Sequence, residues 1–252
     1  SDNKALSTVQ DALGLGSAKV DVAYTGMNAA IKVVDEIKTK LVAAREPGVD
    51  RSKVQEEITQ LQNQLVSITT AAAFSGENWL SVDSGDAAYS ATKSIVASFN
   101  RSSAGTVSVS TVDIDISSTE LFDAADQSGI LDTTFTTTGA GAATVSVSDL
   151  DITAAGIDNT DIDDMISNVD GALASMSTAA ATLGAAKSRV SIQKDFVGEL
   201  MNAIDRGIST LVDADMTAES TRLQALQTQQ QLGIQALSIA NSGAQSVLSL
   251  FR

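Results

Sequence analysis

The chain has 252 residues with one Pro, no Cys and no His, and its formal net charge is -15. Disulfides, thiolate chemistry, a common zinc site and a histidine general base are therefore excluded, and the acidity repels nucleic acid and anionic lipid. Aromatic residues make up 4% against 43% hydrophobic, so the expected core is Ala, Leu, Val and Ile buried along thin interfaces rather than a globule filled by rings.

The N-terminal third reads as a helical hairpin. Leu6, Val9, Leu13, Gly16, Val20, Ala23, Met27, Ala30, Val34, Ile37, Leu41 and Ala44 alternate spacings of three and four, the seam of a coiled-coil helix. Arg45-Glu46-Pro47-Gly48 stops it, because Pro disfavours helix in the residue before it and Gly tolerates the turn. Asp50 or Ser52 can cap a second helix carrying Val54, Ile58, Leu61, Leu65, Ile68 and Ala72. Residues 1–45 and 51–73 are thus expected to pair antiparallel. The start, SDNKALSTVQ, is no secretory signal and opens inside the helical pattern, which suggests a fragment. No apolar run approaches the roughly 18 residues of a membrane span.

Residues 84–157 change character to Ser, Thr, Gly and Asp with short Val/Ile alternations. Strands are expected at 94–99, at 106–116 with one apolar face, and at 144–152, with a short helix near Ser118–Ala125 and the two similar strands in one small sheet. Beyond this insert Ile162, Ile166, Val169, Leu173, Met176, Ala180, Leu183, Lys187, Val190, Lys194, Val197, Met201, Ile204, Ile208 and Leu211 resume the helical spacing, with the two lysines interrupting the apolar set. Leu223, Leu226, Gln230, Gly233, Leu237, Ala240, Ala244, Val247 and Phe251 continue it. A lone helix so thinly provided with large apolar residues is marginal in water, so this last stretch is expected to fold only against a partner. The fold class read from the pattern is α+β: a long antiparallel coiled-coil-like helical rod with a small β-containing inserted domain. Its expected parts are 1–83, 84–157, 158–212 and 213–252.

No catalytic, cofactor or metal site emerges. Asp158, Asp161, Asp163 and Asp164 lack the loop spacing of a calcium site and precede a helix, where carboxylates cap free N–H groups. Asp113 and Asp115 fall on the polar face of a strand. Gly14-Leu15-Gly16 lies inside a heptad run rather than after a strand, so it is no phosphate loop. Trp79 follows a helix end and is expected to plug the junction of rod and insert.

Several segments together resemble bacterial flagellin. Ala240-Asn241 followed by Ser246-Val247-Leu248-Ser249-Leu250-Phe251-Arg252 is similar to the family's terminal motif, A-N-x-x-x-x-x-V-L-S-L-L/F-R. Glu57-Ile58-Thr59-Gln60, Phe74-Ser75-Gly76 and Leu183-Gly184-Ala185 are similar to its N- and C-terminal core segments. The resemblance covers residues 1–82 and 158–252 and leaves out the insert. It implies export without a cleaved signal, an export chaperone and a cap protein as partners, and polymerisation of identical subunits into an extracellular helical filament. It also implies a channel-lining helix at 213–252, whose partner would be about fifty N-terminal residues expected to be absent here. Subunit packing is then assigned to Leu223, Leu226, Leu237, Ala240, Ala244, Val247, Leu250 and Phe251. The rod core is assigned to Leu13, Val20, Met27, Val34, Ile37, Leu41, Ile58, Leu61, Leu65, Leu173, Leu183 and Val190. Where many flagellins carry Q-R-V-R-E-L, bound by the animal Toll-like flagellin receptor, this chain has Asp35-Glu36-Ile37-Lys38-Thr39-Lys40. With Glu36, Lys38 and Glu57 as the receptor-surface equivalents, the resemblance implies weak signalling by this host innate receptor. The alternatives are a hook–filament junction protein and a surface-displayed adhesin-like binding module.

Overall fold

The computed structural model describes residues 2–250 and, within them, all side chains except those of Asp2, Asp213, Ala214 and residues 246–250. Three helices carry the fold: α1 (Asp2–Ala44), α2 (Arg51–Ala71) and α3 (Asn159–Leu250). The chain divides into two units, Ser1–Gly198 and Glu199–Arg252.

In the first unit the heptad seam of α1 is buried from Leu6 to Ala44, with Leu13, Val20, Met27, Val34, Ile37 and Leu41 fully enclosed. The break after α1 uses Gly48 at φ 86°, a left-handed turn that a Cβ would strain. Asp50 then caps α2, its carboxylate accepting from the Ser52 N–H at 3.1 Å. Ile58 and Leu65 are fully enclosed on α2, whereas Leu61 is half-buried beside the buried Gln62.

The N-terminal part of α3 runs antiparallel to α1 in one register. Arg45 meets Asp163, Lys38 meets Asp170, Tyr24 lies beside Gly184 and Asp21 pairs with Lys187, so each step back along α1 matches a step forward along α3. The buried stripe of α3 is Ile162, Met165, Val169, Ala172, Met176, Ala179, Leu183, Ala186, Val190 and Val197. Lys187 and Lys194 are exposed. Their places in the stripe are taken by Ala186 and by Gln193, whose amide donates to the Ala97 carbonyl at 2.9 Å. Leu173 is half-buried for the same reason, since Ala172 faces inward. Small residues at these positions let the helices approach closely, which a stripe read from large side chains does not register.

The strands of the junction and the insert form separate two-stranded pairings rather than one sheet. β1 (Ala73–Phe74) pairs antiparallel with β2 (Glu77–Asn78), and β3 (Ser81–Val82) pairs parallel with β6 (Phe122–Asp123). The long hairpin joins β4 (Thr92–Arg101) to β5 (Val107–Asp115), and β7 (Phe135–Thr136) pairs with β8 (Thr144–Val145). β5 and β8 therefore do not share a sheet.

Three sequence expectations are corrected here. The helix near Ser118–Ala125 is absent because its donors are committed across the chain: the N–H groups of Leu121 and Phe122 both donate to the Leu80 carbonyl. The strand at 144–152 ends at Val145, where the Ser146 hydroxyl donates to Asp149 Oδ1 at 2.8 Å and a short 3-10 turn, Val147–Asp149, begins. The strand at 106–116 does not have one apolar face. Val112 and Ile114 are buried, but Val107 and Val109 fall on the opposite face and are exposed. The alternation slips at Ser110-Thr111.

Candidate functional site

The described part of the second unit leaves many large apolar side chains open to solvent. Leu223 and Leu226 are each 55% exposed and Leu237 is 73% exposed. Leu211, Met216, Leu232, Ile234 and Ile239 are exposed as well. Ala240 and Ala244 are also open to solvent, while the side chains of Val247 and Leu250 and the whole of Phe251 lie outside the described residues. Water-exposed leucines at helical spacing are unstable in isolation and become favourable when a second surface covers them.

Glu36, Lys38 and Glu57, which the resemblance assigns to a receptor surface, are engaged in ion pairs. Lys40 Nζ lies 2.6 Å from Glu57 Oε2 and 3.6 Å from Glu36 Oε1. The Glu57 hydrogen bond, supported by the charges of Glu57 and Glu36, holds the lysine above its ordinary pKa. Lys38 pairs with Asp170 across to α3. The charges of α1 and α2 at this end thus tie the helices of the rod to one another.

The acidic residues at the start of α3, Asp158 just before it and Asp161, Asp163 and Asp164 in its first turns, act as caps and anchors. Asp158 Oδ1 accepts from the N–H groups of Thr160 at 2.8 Å and Asp161 at 3.1 Å, the geometry of a helix N-cap. Asp161, with no exposed surface, accepts at Oδ2 from the N–H groups of Asp158 and Gly141, both at 3.0 Å. These bonds, with help from the Thr137 hydroxyl, hold its carboxyl down at about 2. Asp164 Oδ2 accepts from the N–H and hydroxyl of Thr138, and Asp163 receives a fork of two bonds from Arg45 at 2.6 and 2.8 Å. The cluster therefore binds the insert's 137–141 loop to the start of α3. Among the described residues no group of three or more His, Cys, Asp or Glu could hold a metal ion.

Several anchors escaped the sequence reading. Gln62 donates to the carbonyls of Val147 and Leu150, and Gln55 donates to Leu150 while accepting from the Ile152 N–H at 2.9 Å. Both glutamines look like ordinary polar helix positions, and their partners are distant in sequence. Glu120 is buried and accepts from the Tyr89 hydroxyl at 2.6 Å. Burial pushes the glutamate up, and the bond to Glu120 pushes the tyrosine up to about 12. Trp79, by contrast, is singled out in the sequence for the junction of rod and insert: it is buried, and its indole N–H donates to Glu77, which Lys19 of α1 pairs at 3.0 Å.

The two helical ends each match a family model. Residues 1–84 match the bacterial flagellin N-terminal helical region, and residues 166–251 match the bacterial flagellin C-terminal helical region. Flagellin C of Rhizobium meliloti (strain 1021) is 49% identical over 268 residues, covering 100% of this chain and 83% of that protein. Flagellin A of the same strain is 43% identical over 342 residues, covering 100% and 86%. A flagellin of Brucella melitensis is 44% identical over 253 residues, covering 100% and 80%. With both helical regions in order around an insert tied to the rod by its own hydrogen bonds, this chain belongs to the bacterial flagellin family.

Proposed function

We propose that this chain is a structural subunit that polymerises into the helical filament of the bacterial flagellum and so serves swimming. The observation that carries the reading is the set of large apolar side chains that the described part of the second unit leaves open to solvent between Leu211 and Ile239. Each large side chain of this kind contributes about 1.5–3 kcal/mol when fully buried. Stripes that bury against different surfaces of neighbouring copies make heterologous contacts, and these grow a helix instead of closing a ring.

In this reading Leu223, Leu226, Leu237, Ala240 and Ala244, continued by Val247, Leu250 and Phe251, form the inner packing of the filament. Residues 213–252 form the channel-lining helix, 1–83 and 158–212 the rod, and 84–157 the outward-facing insert. The subunit leaves the cell by the flagellum's own export route with a chaperone, and it adds to the filament beneath a cap protein. Replacing Leu226 and Leu237 together by Asp in the full-length protein should abolish filaments. Negative-stain microscopy after reassembly measures this, and filaments of ordinary length from the double variant would refute it.

The surface formed by Glu36, Lys38 and Glu57 signals weakly through the animal Toll-like flagellin receptor. Glu36 places a negative charge where Q-R-V-R-E-L flagellins have an arginine, and reversing a charge at a desolvated contact is costly. A cell-reporter assay should show lower potency than for Q-R-V-R-E-L flagellins, and equal potency would contradict the assignment.

A further inference from the structure

The β4–β5 hairpin changes sides partway along. Near its base, Ile95 pairs with Val112 and Lys93 with Ile114, and the buried face carries Ile95, Val112 and Ile114. Ile95 packs over Gly16 of α1, so close that a Cβ there would stand 2.4 Å from its methyl group. The register then shifts between Val96 and Ser98. Beyond this bulge the face continuous with the core carries Ser98 opposite Ser110 and Asn100 opposite Ser108, all polar. The opposite face, polar at the base with Thr92, Ser94, Asp113 and Asp115, becomes apolar, with Phe99 opposite Val109 and Arg101 opposite Val107. The Arg101 guanidinium lies over the Phe99 ring at 6.0 Å. Val107 is 48% exposed and Val109 55%, and Phe99 is half-buried. A bulge that re-aims a strand, followed by an apolar face turned away from the chain's own core, is an arrangement built to meet something else.

We infer that the apolar hairpin tip, Phe99, Val107 and Val109, docks on a second copy of this chain, in the groove between α1 and α2. Size argues for the second copy. Three side chains offer well under the roughly 800 Å² per partner of a stable two-body interface, so the tip cannot hold an independent protein by itself. It can contribute where other contacts already keep the copies adjacent, because the second contact then forms at high effective concentration. The inference therefore rests on the filament reading above. The groove, about 410 Å³, is lined by Val22, Thr25, Gly26, Ala29, Ile68, Ala71 and Ala72, with Asp21 at its edge already paired with Lys187. Small side chains on both helices leave room for a valine or a ring. Tip and groove lie on different parts of one molecule, so their contact is heterologous and repeats along a polymer.

Because the chain has no Cys, introduced thiols report without background. Whole-chain Val109→Cys, mixed as a minor fraction into unsubstituted protein and polymerised, should be labelled by a maleimide at least tenfold more slowly in filaments than in monomers. The double variant Val109→Cys with Ala71→Cys should give a ladder of intermolecular disulfides in filaments on a non-reducing gel, and monomers should give none. Labelling at the monomer rate within filaments would overturn the inference and leave the tip free for a foreign partner. A ladder from Val109→Cys alone would overturn it in favour of tip-to-tip contact. Failure of the unsubstituted full-length protein to form filaments would instead refute the filament reading, so the two failures are separable.

Discussion

Asp161 shows how much one side chain can organise. Its fully enclosed carboxylate accepts backbone N–H groups from both the start of α3 and the 137–141 loop, which holds its pKa at about 2. An unfolded aspartate titrates near 3.9. The folded state therefore binds fewer protons than the unfolded state between these values. Stability from this group is fully present above pH 4 and is lost as pH falls toward 2. Thermal unfolding followed from pH 5 to pH 2 should show this loss, and Asp161→Asn should flatten it. An unchanged slope in the variant would place the acid sensitivity elsewhere. Gly16 makes a second test. Its missing Cβ lets Ile95 lie directly on α1, so Gly16→Ala should destabilise the first unit by about 1–3 kcal/mol through overpacking. Adding Ile95→Ala to that variant removes the clash, and a denaturation midpoint for the double variant higher than the sum of the two single losses predicts would show it. A purely additive loss would mean the glycine acts by something other than that contact.

Among the elements, the helices were readable because their signal is local. The spacing of Leu13 through Leu41 fixes the inward face of α1 whatever packs on it, and Pro47-Gly48 and Asp50 mark the break by backbone chemistry alone. The buried stripe of α3 was read one residue off at Leu173 and Lys187, because periodicity weights large side chains whereas the observed contact favours Ala172 and Ala186. The insert was less readable, since its order comes from partners far away in sequence. Nothing local to Leu121 says that its N–H will donate to Leu80, and nothing in β5 alone says which face the bulge in β4 will present. Nor does the sequence of α2 announce that Gln55 and Gln62 will hold the turn at Val147–Ile152. The seam still dominates the energetics of the first unit. Leu65→Ala, at a fully enclosed position on α2, should cost about 2–5 kcal/mol in chemical denaturation. A loss below 1 kcal/mol would mean that the α1–α2 contact is not the core it is taken to be.

Over the whole molecule the two units differ in how they are completed. The first encloses its own seams and fastens its insert with Gln55, Gln62, Asp161 and Asp164. The second leaves Leu223, Leu226, Leu232, Ile234, Leu237 and Ile239 in water. A chain of net charge -15 carries enough like charge to keep single copies apart in solution, so covering those leucines requires the specific fit of other copies. Paired aspartates at positions 226 and 237 act directly on that step, and they leave the seams of the first unit untouched. Amide hydrogen exchange across residues 199–245, compared between dilute single copies and assembled filaments, reads whether other copies cover those leucines. Exchange should be fast in the single copies and slowed at least a hundredfold in filaments, and equally strong protection in a dilute solitary copy would contradict the account.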